Sequence, residues 1–420
     1  MREFAIFVKC GMKIALIESY LNGKGGSQRQ ALSFAVEFQK LGHDVTVYAV
    51  THDKGEGFLE LISQLKVISL PGGFKAPPAK KRRFFGFLNY IAYAKAENSA
   101  ARALAYLIDR DTEILNPHDR LGFHVASYYK KCVKDVPSVL MMSDILTKSW
   151  IAWRKSQFDP HYRPSVKQKL FNWLVDAYEV RHFITPHEGM AVLDERTKQW
   201  AMDYFHKNAT VVRSGLNIEK FSYVPRNAIQ GRRVRILMAG IFFLHRRYED
   251  GIRAVKLLED HGIDASMTIT GNYIANNEYK SYFKRLCSLV KELGLESRVT
   301  FAGEVSEDEL AANYASHDIY VSPNHLQSWG LACFEAMARG LPAIVSKSAG
   351  AAEVLTNGEN ALLVSPKSPE EIARAALRLI NDAQLYTRIS SQGRKFVEEN
   401  ISWEKSARAM LNVFERVRHA

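Results

Sequence analysis

Short apolar runs rich in Val, Ile and Leu alternate with helix-length segments along nearly the whole chain. In the first half these runs are MKIALIES (12–19), HDVTVYAV (43–50), KVISL (66–70), TEILNPHD (112–119) and PSVLMMSD (137–144). Strands that are separated by segments of helix length form βαβ units, which place the strands side by side in a parallel sheet. The pattern therefore predicts an α/β fold with buried, parallel strands.

The alternation pauses once, at a polar stretch with Gly and Pro, RSGLNIEKFSYVPRNAIQGRR (213–233). It then restarts, and 420 residues are more than one ordinary core covers, so two domains are expected. The runs of the second series are VRILMAG (234–240), ASMTITG (265–271), RVTFAG (298–303), DIYVSP (318–323) and LPAIVS (341–346).

We predict two Rossmann-like, doubly wound domains that face each other across a cleft, because each series has the βα order of that fold. The predicted domains are residues 1–214, residues 215–400 and, beyond them, a C-terminal helix over 401–420. A second Met at position 12 opens a cleaner strand, so residues 1–11 are expected to be a disordered extension. In such sheets ligands bind outside the carboxyl ends of the strands.

Basic residues are concentrated in the first half of the chain. The net charge is +12, from 57 Lys and Arg against 45 Asp and Glu. Residues 1–215 hold 31 basic and 21 acidic residues, whereas residues 216–420 hold 26 and 24. A basic surface confined to one domain indicates an anionic contact there, such as phospholipid, nucleic acid or a phosphorylated acceptor.

Other features indicate the cytoplasm. The four cysteines show no CxxC or CxxH spacing, which argues against a zinc site or a disulfide framework and fits a reducing compartment. No apolar run reaches the roughly 20 residues that span a bilayer. Lys9 and Lys13 interrupt the first apolar stretch and no small-residue cleavage site follows, so a signal peptide is not expected.

Two arginines follow the first strand of the second series. Gly240 ends that strand, and Arg246 and Arg247 stand just before the helix that begins near Tyr248. Guanidinium groups beside a helix N-terminus favour a diphosphate, because the fork of N–H groups matches its oxygens and the helix dipole adds to the attraction. The alternative is a solvated basic pair at a helix start.

A second candidate anion site lies in NHLQSWG (324–330) and the helix LACFEAMARG (331–340). The backbone amides around Gly330 and Leu331 would stand at the N-terminus of this helix. Glu335 lies about one turn further on, where its carboxylate could accept two hydrogen bonds from a vicinal diol such as a ribose. The alternative is an i,i+4 partner for Arg339.

Four stretches resemble one enzyme family: GGSQRQALSFAVEFQKLGHDVTVYA, GIFFLHRRYEDGIRAV, QSWGLACFEAMARGLPAIVS and SAGAAEV. They are similar to the family-4 type of retaining GT-B glycosyltransferases, also called glycosyl transferase group 1. The resemblance runs from Met12 to about residue 400. It implies two Rossmann-like domains, a nucleotide-sugar in the cleft, no cofactor, no obligatory metal, and a C-terminal helix that crosses back to the first domain.

The family's last motif usually carries two glutamates eight residues apart. Glu335 matches the second, which holds the nucleotide ribose, and Gln327 matches the first, which contacts the donor sugar. The amide at 327 can still bind a sugar hydroxyl, but it cannot carry charge or act as a base. The resemblance also assigns Trp329, Gly330 and Leu331 to the donor site.

Arg246 and Arg247 stand where the family has its phosphate-binding Arg and Lys. The Gly-Arg pair that usually follows the strand is Gly240-Ile241 here, so one phosphate contact is expected to be missing or supplied from elsewhere. Arg213, in the segment that resembles the family's interdomain stretch, is the candidate substitute.

In the first domain, Gly25 and Gly26 match the family's glycine loop, where glycine permits close backbone approach to a ligand; a plain turn is the alternative. His118 aligns with the histidine that contacts the donor sugar. Asp109 and Asp111 spell the DxD of metal-dependent glycosyltransferases, but they stand at the wrong end of their strand for chemistry, so no metal site is expected.

Two segments combine basic and aromatic residues as membrane-surface segments do. KAPPAKKRRFFGFLNYIAYAKA (75–96) has five basic residues before its aromatic ones, and TKSWIAWRKSQF (147–158) mixes tryptophans with Lys and Arg. The alternative is a solvated basic loop followed by a helix that faces the core. The same composition occurs on nucleic-acid surfaces, but no recognisable nucleic-acid-binding module surrounds these segments, so no nucleic-acid partner is expected.

These features predict a retaining, metal-independent glycosyltransferase that moves a hexose-type sugar from a nucleoside diphosphate to a hydroxyl. Arg246, Arg247, His118 and Gln327 are the expected catalytic residues. The expected acceptor is an anionic or lipid-linked glycan of cell-envelope polysaccharide or glycoconjugate synthesis, at the inner face of the cytoplasmic membrane. Three alternatives stay open: a nucleotide-sugar epimerase or a sugar phosphorylase of the same architecture, or a donor-binding protein without turnover.

Overall fold

The computed structural model describes residues 11–77, 86–159, 162–229, 231 and 233–419, and for residues 86–88 the backbone only. Apart from Gly11, the expected extension over residues 1–11 lies outside the described residues. The chain forms two compact units. Unit 1 comprises Met1–Leu193, Thr197–Arg213 and Ser406–Ala420; unit 2 comprises Asp194–Arg196 and Ser214–Lys405.

Over its described residues, unit 1 has seven parallel strands. Four of them pair in the order β3-β2-β1-β4 and three in the order β5-β6-β7, and an isolated bridge between Leu115 and Ser138 joins β4 to the start of β5. The strands are β1 (Lys13–Ile17), β2 (Asp44–Ala49), β3 (Lys66–Ser69), β4 (Ile114–Pro117), β5 (Val139–Met142), β6 (Gly189–Val192) and β7 (Thr210–Val211).

The helices of unit 1 connect these strands, as a parallel sheet requires. They are α1 (Gly26–Lys40), α2 (Leu59–Ile62), α3 (Gly86–Ala105), α4 (Arg120–Cys132), α5 (Lys148–Phe158), α6 (Val166–Glu179) and α7 (Glu195–Phe205), with a π-helical turn at Val180–Ile184.

In the part of unit 2 that the structure describes, six parallel strands pair in the order β10-β9-β8-β11-β12-β13. These are β8 (Val234–Ala239), β9 (Ala265–Thr270), β10 (Val299–Gly303), β11 (Ile319–Ser322), β12 (Ala343–Ser346) and β13 (Leu362–Val364). The helices are α8 (Tyr248–Asp260), α9 (Asn277–Glu292), α10 (Glu307–Ser316), α11 (Leu331–Ala338), α12 (Pro369–Asn381), α13 (Ala383–Asn400) and α14 (Trp403–Arg418), of which α14 lies mostly in unit 1.

Every strand expected from the sequence is present, and β4, β5, β11 and β12 are buried at all four of their residues, as in a sheet covered on both faces. Local signals start several helices. Ser306 and Glu309 form a capping box at α10, and Ser368 caps α12 just before Pro369.

The last helix packs on unit 1. Phe414 is fully buried, and its ring lies 5.5 Å from that of Phe38 in α1. Near its end, Arg418 pairs with Glu113 at an N···O distance of 2.8 Å. Residues 406–420 therefore complete the core of unit 1, although the chain reaches them only after unit 2.

Candidate functional site

The strand order reverses at the centre of each sheet. In unit 2, β8 has β9 on one side and β11 on the other, so the loops that follow β8 and β11 diverge from the same point of the sheet edge. Ligands of doubly wound folds bind at this switch point. The loops concerned span 240–247 and 323–330, which contain half of the predicted site residues.

Arg246 lies directly over Gly240. A Cβ atom on Gly240 would stand 3.0 Å from the guanidinium carbon of Arg246, so a side chain there would displace the arginine. The glycine also has a φ of +145°, a backbone conformation that favours glycine. The Nε atom of Arg246 is buried with no hydrogen-bond partner. Over the described ranges no carboxylate pairs with Arg246, which therefore keeps an uncompensated charge at the switch point.

Arg247 is placed differently from its neighbour. Its guanidinium donates to both carboxylate oxygens of Asp250, at 2.7 and 2.9 Å, and lies 2.8 Å from Glu249. Its φ of +54° is uncommon for a residue with a side chain, and it caps α8 in that conformation. The structure thus commits Arg247 to internal ion pairs and separates it from Arg246.

Gln327 sits in the loop after β11. Its side-chain oxygen accepts a hydrogen bond from Asn324 and lies 2.9 Å from where a Cβ on Gly330 would be. Leu326, just before it, has a φ of +60°. Strained backbone of this kind persists only where surrounding contacts impose it, and it is common in ligand-binding loops.

A backbone hydrogen bond joins the two loops. The N–H of His325 donates to the carbonyl of His245 at 2.8 Å. His245 directly precedes Arg246, and His325 stands two residues before Gln327. The structure therefore brings the Arg246 loop and the Gln327 loop to one place at the edge of the sheet.

The N-terminus of α11 completes this group. Gly330 has a φ of +104° and precedes the helix without any side-chain cap. The Cys333 amide donates to the Gly330 carbonyl at 3.1 Å, whereas the amides of Leu331 and Ala332 have no acceptor within the helix. Glu335 is buried, and its carboxylate accepts a hydrogen bond of 3.0 Å from the Tyr314 hydroxyl. Trp329 is also buried, and its indole N–H donates to the Ser214 carbonyl at 3.1 Å.

Arg196 holds the Gln327 loop in place, a role that the sequence did not indicate. Its guanidinium donates to the main-chain carbonyls of Gln327, at 2.7 Å, and Ser348, at 2.6 Å, and it pairs with Asp194. The Ser348 hydroxyl in turn bonds to His325 at 2.9 Å. Contacts to main-chain carbonyls leave no pattern in the sequence, so no motif could have identified Arg196.

In unit 1 the switch point lies between β1 and β4, and His118 directly follows β4. The side-chain amide of Asn116 donates to the Val139 carbonyl at 2.8 Å, so its oxygen is free to accept from His118 Nε2, also at 2.8 Å. The proton of His118 is therefore on Nε2, and Nδ1 is a hydrogen-bond acceptor. Nδ1 is buried and has no partner among the described residues.

Burial also fixes the charge of His118. The side chain is 2% exposed, and burial lowers its pKa to about 3. The imidazole is therefore neutral at physiological pH and can accept a hydrogen bond at Nδ1, but it does not act as a cationic acid there.

Two carboxyl groups lie near His118 at the ends of β1 and β4, of which Glu18 is buried and Asp119 partly buried. Glu18, after β1, accepts hydrogen bonds from Ser27 and Gln28 in the first turn of α1, and Asp119 caps α4 through the Gly122 amide. Burial, with the nearby Asp119 charge, raises the pKa of Glu18 well above its ordinary value. An acid at the end of an apolar strand was the signal in the sequence that we did not use.

The remaining predicted residues of unit 1 contribute less. Gly25 precedes α1 in extended backbone, and a Cβ there would meet only the flexible Gln28 side chain, while Gly26 has open space. The conformation thus gives no reason for glycine at either position. Arg213 is half-buried two residues after β7. Asp109 and Asp111 pair with Lys13, at the amino ends of β1 and β4.

Unit 1 also contains a cavity of about 240 Å³. Arg120, two residues after His118, is one of the residues that line it. Lys148 lines it, with its ammonium 4.7 Å from the Tyr90 ring centre, and burial followed by the charge of Arg120 lowers the pKa of Lys148. No carboxylate forms an ion pair with Lys148 among the described residues. The apolar walls are Tyr90, Tyr93, Phe123, Met142, Leu146, Ile151, Val175, Phe183, Ile184 and Phe205.

Part of the chain is similar to known glycosyltransferases. Residues 219–396 match the family model for glycosyl transferases group 1. An uncharacterised glycosyltransferase from Methanocaldococcus jannaschii is 29% identical over 237 residues, 56% of this chain and 55% of that protein. Mannosylfructose-phosphate synthase from Agrobacterium fabrum is 25% identical over 43% of this chain and 40% of its own length. The chain thus spans about half the length of these curated relatives.

Solved structures resemble nearly the whole chain. Sucrose-phosphate synthase from Thermosynechococcus elongatus has a TM-score of 0.72 at 18% identity and covers 97% of this chain and 99% of its own. Anabaena HepE in complex with UDP and glucose has a TM-score of 0.69 at 17% identity, over 96% and 100%. This likeness confirms the predicted fold, the GT-B architecture of two Rossmann-like α/β domains.

We predict that Arg196→Ala loosens the Gln327 loop. Each of the two carbonyl hydrogen bonds stabilises the loop by about 1 kcal/mol, so local opening should become roughly tenfold or more frequent. Hydrogen exchange at the Gly350 amide, which donates to the Gln327 carbonyl, measures this. The exposed Arg388→Ala is the control, and unchanged exchange at Gly350 would refute a positioning role for Arg196.

We predict a pH-dependent contribution of His118 to stability. Its pKa is about 3 when folded and near 6.5 when unfolded, so below pH 6.5 the unfolded chain takes up a proton that the folded chain does not. This contribution is fully present above pH 6.5 and is lost as the pH falls toward 3. Between pH 7.5 and 4.5 the melting temperature should therefore fall more steeply for the parent than for His118→Gln. Parallel curves for the two proteins would contradict a contribution of His118 to the pH dependence.

Proposed function

We propose that this chain, whose residues 219–396 match the glycosyl transferases group 1 family, is a retaining glycosyltransferase that uses a nucleoside-diphosphate sugar. The observation that carries the proposal is the Arg246 guanidinium, which has no carboxylate partner among the described residues and packs on Gly240. The hydrogen bond between His245 and His325 joins its loop to the loop that leads into α11, a helix without a side-chain N-cap. A guanidinium group and the first two amides of a helix, together at a switch point, are groups that stabilise a diphosphate.

The reaction places its main electrostatic demand on the departing diphosphate. As the bond between the anomeric carbon and the phosphate oxygen breaks, its electron pair leaves with the diphosphate. Arg246 and the α11 amides, already in position, would stabilise that charge without reorganisation. Arg247, which is held by Asp250 and Glu249, supports the loop and is the weaker candidate for a phosphate contact.

Gln327 limits the mechanism. Its amide can orient a sugar hydroxyl, but it cannot act as a covalent nucleophile or a base. We therefore favour attack by the acceptor hydroxyl on the face that the diphosphate leaves. The new bond joins the acceptor oxygen to the anomeric carbon, and the hydroxyl proton passes to the departing phosphate oxygen. Trapping of a glycosyl-enzyme adduct would overturn this.

The remaining roles follow from the chemistry of each side chain. Glu335 would accept hydrogen bonds from the ribose hydroxyls, and Nδ1 of His118 would accept one from a sugar hydroxyl. HepE, solved with UDP and glucose, makes UDP-glucose a first donor to test. The proposal needs no metal ion, because Arg246 and backbone amides supply the positive charge at the diphosphate.

The acceptor is proposed to be lipid-linked or anionic, in polysaccharide or glycoconjugate synthesis. The cavity of unit 1 supports a lipid-linked acceptor, because its apolar walls suit a hydrocarbon group. The basic excess of the first half of the chain supports an anionic one. We further propose that the protein acts at the inner face of the cytoplasmic membrane. Two segments, 75–96 and 147–158, are expected to contact that membrane. Ile151 and Trp153 of the second segment are exposed, whereas residues 78–85 of the first lie outside the described residues. No described helix is long and apolar enough to cross a membrane.

A panel of UDP, GDP, ADP and their sugars, each with and without EDTA, tests the donor site by thermal stabilisation. A ligand that binds only the folded state raises the melting temperature. One nucleotide family should do so, and EDTA should not abolish the shift. Glu335→Ala should lose the shift and the exposed Glu296→Ala should keep it. If no nucleotide raises the melting temperature, the proposed donor site is refuted. Product analysis separates the alternative enzymes, because an epimerase forms product without an acceptor and a phosphorylase forms product with inorganic phosphate.

The two arginines should respond oppositely to substitution. Arg246→Ala removes a charge with no carboxylate partner, so stability should hardly change while the affinity for the nucleoside diphosphate falls by about 1.5–3 kcal/mol, roughly 10- to 150-fold. Arg247→Ala leaves the buried Asp250 without its arginine and should cost about 3–5 kcal/mol of stability. Calorimetric titration and denaturation separate the two effects, and equal behaviour of the variants would contradict the assignment.

A further inference from the structure

Helix α6 (Val166–Glu179) turns its apolar side to the solvent. Five large apolar residues on it have exposed fractions between 51% and 82%. Their spacing places them along one side of the helix, three or four residues apart. They are Val166, Leu170, Trp173, Leu174 and Tyr178, and together they are called the α6 face.

Polar contacts fix this orientation from the opposite side. Asp176 accepts the amides of Lys148 and Ser149 at the start of α5, at 2.7 and 2.8 Å. Glu179 accepts from Arg120 at 2.8 Å and lies 2.7 Å from His124. Rotation of the helix to bury its apolar side would break these bonds, so the outward α6 face is a consequence of the fold. A surface helix normally has the reverse arrangement.

The border of the α6 face is basic. Lys167 and Lys169 flank it on α6, and Arg163 and Arg181 stand just before and just after the helix, all four exposed. The only acidic residues between 162 and 182 are Asp176 and Glu179, whose carboxylates are engaged on the inner side. An exposed apolar patch of this size, rimmed by polar residues, marks an interaction site.

The charge decides which partner fits. A second copy of this chain would bring the same four cations to the contact, which opposes association. An anionic lipid surface attracts those cations while the leucines enter the acyl boundary and Trp173 and Tyr178 settle at headgroup level. We propose that the α6 face docks the protein on an anionic bilayer. This inference deepens the membrane partner proposed above, but it does not require the transfer reaction.

Co-sedimentation of the full chain with vesicles tests the inference. The chain should bind vesicles that contain phosphatidylglycerol, bind pure phosphatidylcholine weakly, and dissociate as salt is raised. The double variant Leu170→Ser/Leu174→Ser should lose at least tenfold in partitioning. Ile274→Ser, which removes an equally exposed apolar side chain in unit 2, should bind like the parent.

Three outcomes would overturn the proposal. The parent protein could fail to bind vesicles at all, the double variant could bind them as strongly as the parent, or the parent could bind phosphatidylcholine vesicles as strongly as those with phosphatidylglycerol. Sedimentation equilibrium provides a fourth contradicting outcome. If the parent self-associates with rising concentration, does not bind vesicles, and the double variant no longer self-associates, the α6 face contacts a second copy of the chain. The nucleotide-induced thermal shift of the double variant is measured in parallel. A double variant that keeps this shift is folded. If the parent binds vesicles but shows no nucleotide-induced shift in melting temperature, the donor site is refuted and the membrane-docking proposal stands.

Discussion

The strand order reverses between β1 and β4 in unit 1 and between β8 and β11 in unit 2, and the candidate donor site depends on that reversal. Loops that leave neighbouring parallel strands in opposite directions open a gap at the sheet edge, where main-chain groups and short side chains are free to meet a ligand. In unit 2 the loops after β8 and β11 carry Arg246 and Gln327. In unit 1 the corresponding position after β4 carries His118.

Electrostatics then distinguishes neighbours that look equivalent. Arg246 and Arg247 are adjacent, but the first has no carboxylate partner among the described residues while the second has two. His118 differs from an ordinary histidine for a related reason, because burial keeps it neutral and Asn116 fixes its proton on Nε2. Polar contacts also decide the orientation of α6. The carboxylates of Asp176 and Glu179 bind groups of unit 1 on one side of the helix, so the apolar side faces outward.

The sequence predicted the fold well because parallel strands are short, apolar and regularly spaced. It missed β6, β7 and β13, of which β7 has two residues and β13 three, too few to form a pattern. The strand ends and the family resemblance predicted Arg246, Gln327 and Glu335 to share one site, but they could not separate Arg246 from Arg247. That difference depends on which carboxylates fold against each arginine.

Other features depended on tertiary contacts in the same way. Arg196 binds main-chain carbonyls, which any sequence provides, so its position beside Gln327 could not be predicted. The glycine pair at 25 and 26 suggested a ligand loop, yet the backbone there is ordinary. On α6 the apolar spacing reads as a buried stripe, and only the contacts of Asp176 and Glu179 reveal that this stripe faces the solvent.

The most direct test of the central claim is a crystal structure of the chain with a bound nucleoside diphosphate. The account predicts that the phosphates lie within hydrogen-bond distance of the Arg246 guanidinium and of the first amides of α11, with Arg247 still paired to Asp250. A diphosphate bound elsewhere, with Arg246 making no contact to it, would contradict the claim that this switch point is the donor site.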